Sequence, residues 1–128
     1  MVKHIVMWKI QGVNGQSKEE TAQEIKRTLE DLNGKIEGLI HLEVGIDFLQ
    51  SDASYDVVLY SELANKEALD FYQNHPLHVK AATEVVKPAA TSRIVVDVIN
   101  NKQWRLVVIA CFLVEKGEMT CRLSKNII

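Results

Sequence analysis

The chain reads as an α+β domain with a ferredoxin-like βαββαβ order, in which an antiparallel sheet carries its helices on one face. Three observations predict this. Segments in which apolar residues recur at every second position are interleaved with two segments of helical period. The second and third strand-like segments are joined by a short polar link, which makes them an antiparallel hairpin. The first and third are apolar on both sides, so the sheet face away from the helices also needs a cover. A second copy is the simplest cover, giving a homodimer whose two sheets meet as an α/β barrel.

Each element has its own signals. Val2, His4, Val6, Trp8 and Ile10 alternate with Lys3, Ile5, Met7 and Lys9 as a first strand. Gly12 and Gly15 mark a loop. Ser17 followed by Glu20 is a capping box that opens a helix. Ala22, Ile25, Leu29 and Leu32 form its apolar stripe, and Gly34 or Gly38 ends it. Residues 39–49 alternate as a second strand, with Ile40, Leu42, Val44, Ile46 and Phe48 expected on one face. Residues 50–54 are a turn, and residues 55–62 a third strand. Asn65 caps a helix running to about Gln73. His75-Pro76 breaks it, because the residue before proline avoids helical geometry. Pro76 starts a further helical piece to about Val86, which Lys87-Pro88 ends. Residues 92–99 are the fourth strand, with Ile94, Val96 and Val98 opposite Arg93, Val95 and Asp97.

Residues 1–99 therefore form the expected domain, and residues 100–128 an extension. Its runs at 104–114 and 119–123 fit a terminal hairpin or a helix equally well. The apolar run at 106–114 is far below the roughly 20 residues that span a bilayer.

Composition narrows the function classes. The chain has 128 residues, 47% hydrophobic and 25% charged, as in ordinary globular domains. A net charge of -2 gives no support for a nucleic-acid partner, which usually needs a basic face. The opening Met1-Val2-Lys3-His4 has no secretory pattern, and the two cysteines form no disulfide framework or zinc spacing. A cytoplasmic location is expected.

The chemistry concentrates in Leu69-Asp70-Phe71-Tyr72-Gln73-Asn74-His75-Pro76-Leu77-His78-Val79-Lys80, which holds two of the four histidines. This segment, with Lys3-His4-Ile5-Val6-Met7-Trp8-Lys9, Tyr55-Asp56-Val57-Val58-Leu59-Tyr60 and Ser92-Arg93-Ile94-Val95-Val96-Asp97, resembles the stress-responsive A/B barrel (Dabb) family over roughly residues 1–98. The resemblance implies a dimeric α+β barrel. Some members act as polyketide cyclases, closing a ring by aldol condensation. In those, a histidine matching His78 is the general base, a tyrosine matching Tyr72 assists, and a histidine matching His4 lines the cavity. This chain has Val57 where the cyclases carry another histidine, and it continues past Asn100 where the family usually stops.

An imidazole titrates near neutral pH, so His78 suits proton transfer. Tyr72 would orient a substrate carbonyl, with His4, Trp8 and Phe71 as the cavity wall. The competing structural reading has His78 bonding an orphan backbone group at the helix break. His75 is expected to be structural, and His41 solvated on the polar face of the second strand. Metal support is weak. Pro76 spoils a shared face for His75 and His78, and Asp47, Asp52 and Asp56 read as a solvated turn rather than a loose hard-cation site. No phosphate loop is present, and no cofactor is called for. The leading function is a small-molecule enzyme of polyketide cyclase or isomerase type, with a small apolar or polyketide-like ligand. The alternative is a non-enzymatic dimeric binding or stress-response protein. Haem binding through His78 ranks below both, on fold analogy alone.

Overall fold

The computed structural model describes residues 1–99, with residues 1–98 forming one compact unit. Both cysteines and the runs at 104–114 and 119–123 lie outside the described residues. The strands are β1 (Val2–Ile10), β2 (Leu39–Ile46), β3 (Val57–Leu63) and β4 (Ala90–Ile99), with α1 (Lys18–Glu30) between β1 and β2. Between β3 and β4 lie α2 (Lys66–Asn74), α3 (Pro76–Ala81), a π-helical turn (Ala82–Val86) and a last helical turn, α4 (Lys87–Ala89). The sheet order is β2-β3-β1-β4, with β3 antiparallel to both β1 and β2. This is the ferredoxin-like α+β fold that the order of elements predicts.

Local chemistry sets most boundaries. The Ser17 hydroxyl accepts from the Glu20 amide at 3.1 Å, and the Asn65 side chain accepts from Ala68 at 2.8 Å. Such a cap is worth about 1 kcal/mol. Ala22, Ile25 and Leu29 on α1 are buried against Val6, Leu42, Val44 and Leu59 of the sheet. Burying an Ile or Leu side chain contributes roughly 1.5–3 kcal/mol, so this stripe holds α1 to the sheet. Gly38, at φ +86°, lies where an added Cβ would sit 2.6 Å from the Ala68 Cβ, so the entry to β2 can pass close over α2.

Four expectations are corrected. Helix α1 stops at Glu30, capped by Asp31, before either glycine. A register shift between Leu39 and His41 turns Leu39 inward with Leu42 and Val44, leaving Ile40 57% exposed. Strand β2 ends at Ile46, because Asp47 folds back to accept from the Gln50 amide at 2.6 Å, and Phe48 is 93% exposed. Lys87-Pro88 does not end the last helix, which continues to Ala89. Proline lacks the N–H for a helical bond and clashes with the carbonyl four residues back. The wide turn, in which the Lys87 N–H reaches the Ala82 carbonyl, accommodates it.

One sheet face packs on the helices. The other carries Ile5, Met7, Ile94 and Val96 around a shallow apolar depression, with Met7, Ile94, Val96 and Val98 exposed. Among the described residues, no helix is long and apolar enough to cross a membrane.

Candidate functional site

The site lies between the helix-facing side of the sheet and the segment from α2 to α4. Strand β1 directs its even-numbered side chains inward, which places His4, Val6 and Trp8 on the floor of a cavity of about 400 Å³. His78 and Val79 of α3, then Ala82, Thr83, Val86 and Lys87 from the π-helical turn and its end, form one wall. Arg93 of β4 is also in the lining.

His75 and His78 divide the labour at the helix break. His75 ends α2 and begins α3, and its Nδ1 accepts from the Leu77 amide at 3.1 Å while Pro76 takes the first helical position. It is a capping residue, as its place before proline predicts. The His78 Nδ1 donates to the Gln73 carbonyl at 3.0 Å, which leaves the lone pair on Nε2. Burial pushes its pKa below the ordinary histidine range. His4, Arg93 and His75 push in the same direction, while the bond to Gln73 opposes them. His78 is thus held neutral, with an acceptor nitrogen, at the cavity wall.

Tyr72 packs between the two cavity histidines. Its ring centroid is 4.4 Å from that of His78 and 6.2 Å, edge-on, from that of His4. It is fully buried, and its hydroxyl has no hydrogen-bond partner among the described residues. Burial raises the phenol far above its usual range, so it stays protonated as a donor.

His4 is 3% exposed, and its Nδ1 lies 2.5 Å from Asp97 Oδ1 on β4. Its backbone carbonyl accepts from the Ser61 hydroxyl at 2.9 Å. Of the residues expected here, His78, His4 and Trp8 line the cavity, and Tyr72 packs directly behind the histidines. Phe71 does not join them. It is 51% exposed on the other side of α2, edge-on to His75, in a separate groove with Asp70 and Pro76. Adjacent helical positions diverge by about 100°, so Tyr72 and Phe71 cannot face the same cavity. Val57 is buried in the core opposite Trp8.

Sequence reasoning missed Asp97 and Arg93 as site residues. The signal was their shared strand face, which puts two charged side chains on the helix side of the sheet.

Two of the acidic residues near the hairpin are engaged within the protein. Asp56 pairs with Lys18 at 2.7 Å and accepts from the Ile10 amide at 2.9 Å, while Asp47 serves the turn. No group of three potential ligands occurs among the described residues. Burial pushes the Asp56 carboxyl up, but Lys18, the Ile10 amide and Gln50 together hold it below the usual range.

Residues 2–100 match the model of the Stress Responsive A/B Barrel Domain. The chain belongs to this Dabb family. A dimeric ferredoxin-like protein of unknown function from Bacteroides fragilis is 31% identical, with TM-score 0.67 over 77% of this chain and 95% of that one. A dimeric ferredoxin-like protein of unknown function from Jannaschia is 26% identical, with TM-score 0.61 over 77% and 98%. A hydroxynitrile lyase from Passiflora edulis shares the fold at 18% identity, with TM-score 0.64 over 79% and 94%. No curated protein matches the chain.

Proposed function

We propose that this Dabb protein is a small-molecule enzyme that moves a proton at carbon, with His78 as general base. The carrying observation is that His78 and His4 line one cavity, with Tyr72 packed behind both rings and the His78 proton fixed on Nδ1. A carbon acid next to a carbonyl, bound over Nε2, would lose its proton to His78; the enolate then either takes a proton back at carbon, as in isomerisation, or attacks a second carbonyl whose oxygen takes the proton, as in aldol ring closure. Tyr72 assists by packing against the His78 ring from behind the cavity wall and holding it in place. His4, oriented by Asp97, and Trp8 shape the floor. The lyase of the same fold shows that this architecture hosts small-molecule catalysis elsewhere.

The test needs no known substrate. Deuterium incorporation into acetylacetone in D₂O, followed by NMR, should exceed the buffer rate and return to it in His78→Ala. No excess over buffer, or an undiminished rate in the variant, would count against the base and favour a binding protein.

The working unit we infer is a homodimer closed through the outer sheet face. The apolar patch of Ile5, Met7, Ile94 and Val96 supports this, as do the two dimeric relatives. Sedimentation at micromolar concentration should show the dimer, and Met7→Lys should weaken it.

A further inference from the structure

We propose that the cavity selects a small carboxylate with an apolar tail, its carboxylate held by Arg93 and Lys87. This rests on the reading of the cavity as the substrate site, and it names the substrate's chemical class.

The lining is sorted by polarity. Val6, Trp8, Leu29, Leu59 and Val86 supply apolar surface. Arg93 and Lys87 supply two cations, and no carboxylate is among the lining side chains. Both cations are solvent-exposed, so they stand toward the open side of the cavity, while Val6, Leu29, Leu59 and Val86 are buried. The carboxylate on the same strand face as Arg93, Asp97, is engaged by His4.

Three lysines elsewhere in the domain are paired. Lys18 meets Asp56, Lys26 meets Glu30 and Lys35 meets Asp31, each at 2.7 Å. The side chains of Arg93 and Lys87 have no ion pair or hydrogen bond among the described residues. Arg93 still acts on the site, since its charge helps to hold His78 neutral.

Two cations reject an amine or a metal ion and attract an anion. A guanidinium presents a planar fork that matches a carboxylate. The cavity of about 400 Å³ has room for a short hydrocarbon body. The π-helical turn contributes to the arrangement, because it carries Val86 inward and delivers Lys87 beside the opening.

The experiment is calorimetric titration of the full chain with octanoate, octan-1-ol and octylamine, which share one tail. Octanoate should bind about tenfold more tightly than octan-1-ol, with octylamine weakest. Arg93→Gln with Lys87→Gln should erase the advantage of octanoate while leaving octan-1-ol unchanged. Both sites are exposed, so the fold is not at risk. His78→Ala should keep the octanoate preference. Equal binding of octanoate and octan-1-ol, or a preference that survives the double substitution, overturns the proposal. A preference that depends on Arg93 and Lys87, found without His78-dependent exchange, supports it and refutes only the catalytic reading.

Discussion

Two polar regions of this domain are built on opposite plans. At the Asp56 corner the central acid is fully engaged: the carboxylate binds Lys18 and the Ile10 amide, and its backbone joins Asp47 and Trp8. At the His78 cavity groups are left open: the Tyr72 hydroxyl, buried behind the wall, has no acceptor, the His78 Nε2 keeps its lone pair, and the side chains of Arg93 and Lys87 have no acid among the described residues. The difference is energetic. An unsatisfied buried hydroxyl costs about 1–3 kcal/mol, and folding alone offers no return for it. The paired corner is a clamp that ties the hairpin turn to β1 and α1, and the unpaired cavity is where a ligand would complete the bonding.

The largest effect expected separates the two regions by activity. His78→Ala should lower proton exchange by roughly 10²–10⁴-fold, while Asp56→Asn leaves exchange within a factor of about two. Asp56→Ala, read by urea unfolding, should in turn cost about 1–3 kcal/mol, since it strands the Ile10 amide. Equal stability of that variant and the parent would remove the clamp. Tyr72→Phe is the sharper probe. It deletes only an unpaired hydroxyl and keeps the ring, so stability should hold or rise by about 1 kcal/mol while exchange is unchanged. A clear loss of stability would show that the hydroxyl is paired in solution and that the contrast is wrong.

The smallest effects are in pH. His78 titrates below the ordinary histidine range, so exchange should rise with pH through a midpoint under about 6.5. Arg93→Gln removes a cation facing it and should move that midpoint upward. The linkage has the same sign. The unfolded chain takes up the His78 proton first, so this contribution to stability is complete above the unfolded pKa and is lost as pH falls through the folded one. Asp56 also has a lowered folded pKa, so its contribution is present above the usual carboxylate range and lost below it. The two contributions should therefore fade in separate windows, the histidine below the ordinary histidine range and the carboxylate below the ordinary carboxylate range, which a stability profile of the two variants resolves.

Much of the fold was legible in the sequence, because periodicity and caps act within a turn or two of chain. The even-numbered inward face of β1, the Ser17 and Asn65 caps, and the helix-breaking His75-Pro76 all follow from residues in immediate contact. The meeting of His4, Tyr72 and His78 was legible at one remove, through resemblance to the family. Two departures show where local pattern fails. Phe71 adjoins Tyr72 in sequence, but a helix turns neighbours apart, and strict alternation puts Ile40 inward, which a single bulge reverses.

The sequence by itself determined the order of strands and helices, the family, and the capping role of His75, because each depends on local geometry and side-chain type. Only the tertiary structure decided that Asp97 reaches His4 across 93 positions, that a π-helical turn carries the last helix past Pro88, and that Arg93 and Lys87 stand unpaired beside an apolar cavity. Those facts depend on strand register and on which charges find partners, and both are settled when the helices pack against the sheet.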